Sequence, residues 1–369
     1  MKKKTIVISG ANLFSGGTLS IMQDCLSYAD ATLSNEYKVI ALIHDPKDFK
    51  NIRNVELIVI PDIRNSYFHR LYYEYFYYKS FSNKIMPFLW LSLNDISSNV
   101  NANVRAVYCH NATPFKKIVL SDLVYQPPVF FFTLFYKFLY SINIRKNRYV
   151  IVQQNWMKTK FKKMFGLDFL NIIVAPPQIS NLSIVKSEGQ VKKQIINFFY
   201  PTLPRPFKNI QVICKAVSLL QSQGYSNFNV TITIDGSENK YAKDIHRTYQ
   251  HLNAIKFIGK ISREEVYSYY SECDCLIFPS TLESWGLPIS EFKQFNKPII
   301  LAELEYAHET LGNYDFGLFF KPDDEVSLAN YMKDIILQTA TFTSHKSVQI
   351  EEPFAKDWSA LFKLLLQPK

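Results

Sequence analysis

The sequence predicts an α/β protein made of two doubly wound domains. Short β-branched runs alternate with longer segments of helical periodicity, which is the pattern of parallel strands joined by crossover helices. The chain has 369 residues, which is too long for one ordinary core of about 100 to 200 residues. The alternation also stops near residue 180 and then begins again. These observations favour two Rossmann-like domains that face each other, with a ligand-binding cleft between them.

The strands follow from the apolar runs. In the first half they are predicted at Thr5–Ser9, Lys38–His44, Val55–Ile60, Arg105–Cys109, Tyr149–Gln153 and Asn171–Val174. In the second half they are predicted at Ile195–Tyr200, Val230–Ile234, Ile255–Ile258, Cys275–Phe278, Pro298–Leu301 and Gly317–Phe320. A helix is expected at about 209–221. Ser262-Arg-Glu-Glu265 has the spacing of a capping box, which should open the helix before Cys275.

The domain boundaries follow from the pause in periodicity. Residues 1–178 are predicted to form the N-terminal domain, and the proline- and serine-rich segment 179–191 is predicted to be a linker. Residues 192–351 should form the C-terminal domain. A final segment, 352–369, is expected to be a helix that crosses back to the N-terminal domain.

Composition narrows the class of protein. With 47% hydrophobic and 20% charged residues, the chain is typical of a globular protein. The five cysteines are scattered and form no C-x-x-C pair, which favours the reducing cytoplasm over a disulfide scaffold or a zinc site. The net charge of +10 favours an anionic partner: a phosphorylated substrate, a membrane surface or nucleic acid.

One aromatic segment has two interpretations. Val129–Ile144 is shorter than the roughly 18 apolar residues that a membrane span requires. Because Arg145, Lys146 and Arg148 follow it, the segment is suited to lie in an anionic membrane interface. It is equally suited to be a buried helix of the first domain. Both interpretations remain open from the sequence.

The segment Phe278–Glu291 carries the strongest chemical signal. A buried strand ends at Phe278, a polar loop follows, and Pro288 stands where the first turn of a helix is expected. The free amides of Gly286 and Leu287 suit a diphosphate, and glycine allows its close approach. Glu283 and Glu291 are suited to accept hydrogen bonds from vicinal sugar hydroxyls. The alternative is that Glu291 only complements the helix dipole and Glu283 is solvated.

This segment resembles the E-x7-E signature of the retaining glycosyltransferases of family 4, also called group 1, usually written E-G-F-G-L-P-x-x-E. The similarity extends through Lys297-Pro-Ile-Ile300 and back through Phe257-Ile-Gly259 and Asp274–Ser280. The resemblance implies a GT-B fold and a nucleotide-sugar substrate. It implies that Glu283 contacts the donor sugar, that Glu291 binds the ribose, and that Ser284, Trp285, Gly286 and Leu287 line the donor site. Ser284-Trp285 replaces the commoner Gly-Phe, which affects sugar identity more than the reaction.

Two further segments resemble donor-binding motifs of this family. Arg205 and Lys208, after the strand at Ile195–Tyr200, resemble its phosphate-binding Arg and Lys, and they would neutralise the leaving diphosphate. Gly16 and Gly17 follow the first strand; alone they indicate a tight turn, whereas the resemblance places them beside the diphosphate.

The resemblance also places a histidine, here His110, near the reacting sugar. Asn94 and Asp95, in a loop after Trp90-Leu-Ser-Leu93, and Asn111, beside His110 at a strand end, are weaker acceptor-side candidates. No D-x-D occurs in the chain, so neither a metal nor a cofactor is expected beyond the nucleotide-diphosphate sugar itself.

The segments His110-Asn111, 152–158 and 173–177 look like the branch that builds O-antigens, capsules and exopolysaccharides. The expected function is therefore metal-independent, retaining sugar transfer to a lipid-linked or oligosaccharide acceptor, by a cytoplasmic protein that contacts the inner membrane peripherally and binds no nucleic acid. The alternatives are a nucleic-acid-binding protein, a catalytically silent assembly protein, and a nucleotide-sugar epimerase or a phosphorylase.

Overall fold

The computed structural model describes residues 3–14, 16–116, 120–178 and 195–367. The chain divides into two compact units. The first contains residues 1–116, 132–178 and 350–369, and the second contains 117–131 and 179–349. Residues 117–131 thus group with the second unit, whereas the sequence analysis assigned them to the N-terminal domain. The predicted linker at 179–191 lies outside the described residues.

The first unit is built on a sheet in which the described residues form seven parallel strands, in the order β3-β2-β1-β4-β5-β6-β7. Its strands are β1 (Thr5–Ser9), β2 (Lys38–Ile43), β3 (Glu56–Val59), β4 (Leu89–Ser92), β5 (Val104–Cys109), β6 (Tyr149–Val152) and β7 (Ile172–Val174). The helices along this part of the chain are α1 (Gly16–Ala31), α2 (Tyr67–Tyr72), α3 (Tyr78–Ile85), α4 (Leu120–Tyr125), α5 (Pro127–Ser141) and α6 (Asn155–Phe165). A π-helical turn, Tyr73–Tyr77, joins α2 to α3.

The second unit repeats the architecture with six parallel strands among its described residues, in the order β10-β9-β8-β11-β12-β13. Its strands are β8 (Ile196–Tyr200), β9 (Phe228–Ile232), β10 (Ile255–Phe257), β11 (Cys275–Phe278), β12 (Ile299–Ala302) and β13 (Gly317–Phe320). Its helices are α7 (Ile210–Ser222), α8 (Lys240–Tyr249), α9 (Arg263–Glu272), α10 (Leu287–Lys293), α11 (Glu305–Leu311) and α12 (Glu325–Ile336). The last helix among the described residues is α13 (Trp358–Leu366), which belongs to the first unit.

Many of the strands are apolar on both faces, because helices cover both sides of each sheet. In β1 and β2, for example, residues 6–8 and 39–43 are at most 3% exposed. Helix α13 completes the first core: Leu361, Phe362 and Leu365 are buried in it, and the Phe362 ring stacks on Tyr28 of α1 at 5.7 Å between centroids.

The α/β prediction and the parallel arrangement are confirmed. The capping box is also confirmed: the Glu265 amide donates to Ser262 Oγ at 3.2 Å, and the Ser262 amide donates to Glu265 Oε2 at 2.7 Å. The sequence analysis missed β4, whose Leu-Trp-Leu-Ser sequence has no β-branched residue.

The aromatic segment at 129–144 falls mainly within α5. Tyr136 and Tyr140 pack in the core of the first unit, whereas Leu134, Phe135 and Phe138 are exposed. The buried face is therefore as expected for a helix of the core, and the exposed apolar face is as expected for a helix that lies in a membrane interface. No helix in the described part of the chain is both long enough and apolar enough to cross a membrane.

Candidate functional site

Two loops meet at the carboxyl edge of the second sheet. One follows β8 and the other follows β11, and these strands are neighbours in the sheet. Strands β9 and β10 lie on one side of β8, while β11 to β13 lie on the other, so the chain changes direction here. Ligands of doubly wound sheets bind beyond the strand ends at this type of switch point.

Backbone acceptors join the two loops. The Thr281 amide and hydroxyl both donate to the Phe207 carbonyl, at 2.7 and 3.0 Å. The buried Tyr200 hydroxyl donates to the Lys208 carbonyl at 2.7 Å. These hydrogen bonds fix the short 3-10 turn that carries Lys208 against the loop that carries Glu283.

Lys208 and Glu283 form an ion pair. Their Nζ and Oε1 atoms are 2.5 Å apart, and the two side chains are only 17% and 15% exposed. At this burial each charge depends on the other, because removal of one partner leaves the second without compensation. The structure thus brings together two residues that the sequence predicted separately, Glu283 for the donor sugar and Lys208 for the diphosphate.

The other predicted loop residues are arranged differently. Arg205 is exposed, with its guanidinium 5.9 Å from the Phe207 ring centroid, and it makes no salt bridge to a described residue. The Trp285 indole donates to Ser290 Oγ of α10 at 2.9 Å, and the Trp285 carbonyl accepts from the Thr310 hydroxyl. Ser284 is half-buried between Glu283 and Trp285.

Gly286 turns the chain into α10. Its φ of +89° lies in the left-handed region, and a Cβ at this position would stand 3.0 Å from Ile289 Cδ1. Leu287 begins the helix and Pro288 occupies its first turn, as the sequence predicted. The backbone therefore requires glycine at this position, and the amides of the first turn lie at the end of the loop.

Glu291 lies on α10 and is 8% exposed. Its Oε1 accepts from Arg263 Nη2 at 3.2 Å and from the Tyr267 hydroxyl at 3.1 Å. Its Oε2 accepts from the Tyr270 hydroxyl at 3.3 Å. Burial raises the pKa of Glu291, and the Arg263 charge and the tyrosine hydrogen bonds oppose that shift.

In the first unit, Asp95 organises the ends of β4 and β5. Its backbone has a φ of +68°, and its Oδ1 accepts from the His110 and Asn111 amides at 2.5 and 3.1 Å. The Asn111 side chain donates to the Tyr136 hydroxyl at 2.8 Å. The structure thus brings three predicted residues, Asp95, His110 and Asn111, into one hydrogen-bonded group.

His110 is buried in this group. Its Nδ1 is 3.4 Å from the Gln153 amide nitrogen, and its ring centroid is 4.3 Å from that of Tyr108. Burial lowers the pKa of His110, although the Asp95 carboxylate and the Leu93 backbone oppose the shift. The lowered pKa favours the neutral imidazole, in which one ring nitrogen donates a hydrogen bond and the other accepts one.

Asn94 belongs to a second polar network. Its side chain donates to Glu74 Oε1 at 2.9 Å, and the Ser98 hydroxyl donates to Glu74 Oε2 at 2.5 Å. The Arg70 guanidinium donates to the Asn94 carbonyl at 2.7 Å. Burial raises the pKa of Glu74, while its hydrogen bonds and the Arg70 charge lower it.

The two glycines of the first loop begin α1. Gly16 has a φ of +63°, and a Cβ there would meet open space. Gly17 is the second residue of the helix. Both lie at the carboxyl edge of the first sheet, where the sequence analysis expected them.

Sequence reasoning missed Glu74, Arg263, Tyr267 and Tyr270. The π-helical turn at Tyr73–Tyr77 places Glu74 in the core, and its i+4 and i+8 neighbours, Tyr78 and Ser82, are also buried. Glu74 is the one acidic residue in the aromatic run 72–78, and its helical spacing to Tyr78 and Ser82 could have indicated that it is buried. For α9, the signal was an Arg and two Tyr residues at i, i+4 and i+7, which share one helix face.

Within the described ranges, no group of three or more His, Cys, Asp and Glu side chains is arranged to hold a metal ion. The expected absence of a metal and of a cofactor stays a prediction.

Comparison with known proteins relates the chain to glycosyltransferases. Residues 182–348 match the family described as Glycosyl transferases group 1. The chain is 24% identical over 307 residues to the O-antigen chain mannosyltransferase RfbU of Salmonella typhimurium, which is 78% of this chain and 83% of that protein.

Solved structures show the same fold. Sucrose-phosphate synthase from Thermosynechococcus elongatus superposes with a TM-score of 0.68 at 16% identity, over 91% of this chain and 90% of that one. HepE of Anabaena, solved with UDP-glucose, gives 0.62 at 15% identity over 91% and 90%.

Two parallel, doubly wound sheets with these structural neighbours define a GT-B fold, as the sequence predicted. Within that class, the match of residues 182–348 to the group 1 glycosyltransferases agrees with the resemblance identified from the E-x7-E segment.

The buried Glu74 should give the protein a pH-dependent stability that Glu74→Gln removes. Because burial raises the pKa of Glu74, the folded state holds this proton more tightly than the unfolded chain does. Its contribution is therefore present below the ordinary pKa and is lost as pH rises through the raised value. The stability of Glu74→Gln relative to the wild type should therefore rise as pH increases above the ordinary pKa of a glutamate, about 4.3.

The measurement is the midpoint of urea unfolding at each pH. Glu36→Gln, at an exposed position of the same unit, serves as the control and should show a constant difference. A constant difference for Glu74→Gln as well would contradict the assignment.

Proposed function

We propose that this protein transfers a sugar from a nucleotide-diphosphate donor to a lipid-linked or oligosaccharide acceptor during biosynthesis of a bacterial surface polysaccharide. The group 1 domain supports glycosyl transfer in general. The similar Salmonella protein is named an O-antigen chain mannosyltransferase, which supports the O-antigen class of product. HepE was solved with UDP-glucose, which supports a nucleotide sugar as the donor.

The observation that carries this proposal is the Lys208–Glu283 ion pair at the switch point of the second sheet. A nucleotide sugar presents a diphosphate next to a ring with several hydroxyl groups. The Lys208 ammonium suits the phosphate charge, and the Glu283 carboxylate suits the hydroxyls. The two complementary groups are already adjacent.

We assign the diphosphate to Lys208 and to the amides of Gly286 and Leu287. As the bond from the sugar to the phosphate breaks, negative charge grows on the leaving group. A cation and backbone donors fixed in a partly buried loop stabilise that charge with little reorganisation. Arg205 is exposed, so it can supply a second cation by changing its rotamer.

Glu291 is assigned to the ribose hydroxyls, and Ser284 and Trp285 to the wall of the sugar pocket.

In the first unit, Asn94, Asp95 and Asn111 are assigned to the acceptor side and His110 to the reacting sugar. Gly16 and Gly17 are assigned to the diphosphate. The neutral His110 imidazole offers a hydrogen bond without adding charge beside the reacting group.

We further propose that the transfer retains the anomeric configuration and needs no metal. This extends the resemblance to the family 4 enzymes. The leaving phosphate would then assist deprotonation of the acceptor hydroxyl on the same face of the sugar. Lys208 would take the place of a metal ion in neutralising the diphosphate.

Nucleotide sugars should stabilise the protein through the second unit. In a thermal-shift screen of UDP and GDP sugars, a donor at 100 times its dissociation constant should add about 2.7 kcal/mol of stability. Lys208→Ala and Glu291→Ala should abolish most of that shift. Lys215→Ala, at an exposed lysine of α7, should keep it.

A companion assay measures nucleotide release with and without acceptor saccharide, because only a transferase requires the acceptor. Oligonucleotides that stabilise the wild type, with no response to any nucleotide sugar or nucleotide diphosphate, would contradict the proposal.

We propose that the first unit also contacts an anionic membrane surface through α5. Leu134, Phe135 and Phe138 form an exposed apolar stripe at helical spacing, with half or more of each residue exposed. The exposed Lys137, and the basic turn at 145–146 that follows the helix, suit acidic headgroups. Such a contact would keep the enzyme beside a lipid-linked acceptor.

Phe135→Ser combined with Phe138→Ser should weaken vesicle binding at least about tenfold, because each buried Phe contributes about 1.5–3 kcal/mol. The measurement is co-sedimentation with phosphatidylglycerol vesicles and with phosphatidylcholine vesicles, and binding should require the anionic lipid. Leu170→Ser, at an exposed apolar residue elsewhere in the first unit, is the control. Equal sedimentation of the wild type and the double variant would contradict the membrane assignment.

A further inference from the structure

Glu291 is held by one face of a single helix. Arg263, Tyr267 and Tyr270 stand at i, i+4 and i+7 of α9, and all three donate to its carboxylate, at 3.2, 3.1 and 3.3 Å. Arg263 Nε also donates to the Tyr267 hydroxyl at 2.9 Å, which aligns the two outer donors with each other. The capping box at Ser262 fixes the start of the helix one residue before Arg263.

The three donors differ in depth. Tyr270 is fully buried between α9 and α10, where its ring meets that of Phe292 at 5.4 Å between centroids. The Arg263 side chain is 45% exposed, whereas that of Glu291 is 10% exposed. Tyr270 therefore anchors the carboxylate from within, and Arg263 stands at the solvent side where a ligand arrives.

The hydrogen bonds from α9 limit how many further hydrogen bonds the Glu291 carboxylate can accept from a ligand. A carboxylate has about four acceptor positions, and α9 fills three of them. Two vicinal hydroxyls cannot both be accommodated unless an outer donor shifts. Arg263 is the most exposed of the three donors, so its position bears most directly on how Glu291 receives a ribose.

Charge gives Arg263 a second effect. Among the described residues, the charged and titratable groups that act on Glu291 are Arg263, Tyr267 and Tyr270, all on α9. Lys293 of its own helix instead donates to the Thr310 and Leu311 carbonyls of α11. The Arg263 guanidinium is therefore the cation that offsets the desolvation of the Glu291 carboxylate. An ionised carboxylate accepts stronger hydrogen bonds than a protonated one.

We infer that Arg263 is a positioning residue of the donor site, which keeps Glu291 ionised and aimed at the ribose hydroxyls and thereby sets the lower pH limit of nucleotide binding. The inference rests on the proposed function, since it takes Glu291 as the ribose ligand. Arg263 acts through Glu291 and is not assigned to the reacting atoms.

The test measures dissociation constants of UDP and GDP by calorimetry across pH, together with the 2′,3′-dideoxy form of the nucleotide that binds. Without Arg263 the Glu291 carboxyl should hold its proton to higher pH. Arg263→Ala should therefore weaken binding about tenfold at the acidic end of the pH range over which the protein is folded, and less at the alkaline end. Arg263→Lys should recover most of the affinity. The dideoxy nucleotide should bind the wild type and Arg263→Ala equally.

The matched control is Arg247→Ala, which removes an exposed helical arginine of α8 in the same unit. It should leave affinity and its pH profile unchanged. An Arg263→Ala variant with the wild-type affinity and pH profile overturns the inference. So does an equal loss at every pH for both the ribose and the dideoxy nucleotide, because that pattern indicates a general structural effect. Absence of UDP and GDP binding by the wild type overturns the proposed function itself, and this inference with it.

Discussion

Parallel pairing of β8 with β11 is the constraint on which the candidate donor site depends. These strands are adjacent in the sheet, but the chain continues from β8 towards one edge and from β11 towards the other. The loops that follow the two strands therefore lie side by side. The Phe207 carbonyl, which accepts twice from Thr281, then joins the loops. The Lys208–Glu283 pair, the turn at Gly286 and the buried Glu291 follow from that arrangement, since each lies on one of these loops or on the helix that the second loop begins.

Burial determines the chemistry at both sheet edges. Glu291 and Glu74 lie inside the protein, and each is held by hydrogen-bond donors from a neighbouring segment. Burying a carboxylate costs free energy unless hydrogen bonds or an opposite charge compensate for it. Buried, compensated carboxylates are therefore candidates for functional sites. His110 is the converse case, because burial favours its neutral form.

The sequence predicted most of the fold because the strand pattern is local. Runs such as Thr5–Ser9 and Cys275–Phe278 are apolar along their whole length, and their observed bounds equal the predicted ones. Strand β4 was not predicted from the sequence. Leu89–Ser92 forms a strand because it is buried in the sheet, and not because its residues favour β-structure. The assignment of residues 117–131 to the second unit depends equally on packing partners distant in sequence.

The same distinction applies to the site. Lys208, Glu283, Gly286 and Glu291 were recognisable one by one, because their motifs are short. Their partners were not, since Lys208 pairs with a residue 75 positions away and Asn94 pairs with Glu74 across a π-helical turn. Residue type and spacing predict what a side chain offers to a ligand. The folded chain decides which other side chain it meets.

The most direct test of the central claim is a crystal structure of the protein with the nucleoside diphosphate that binds it. In that structure, diphosphate oxygens should lie within hydrogen-bond distance of Lys208 Nζ and of the amides of Gly286 and Leu287, with the ribose at Glu291. A diphosphate bound away from both loops of the second sheet would contradict the central claim.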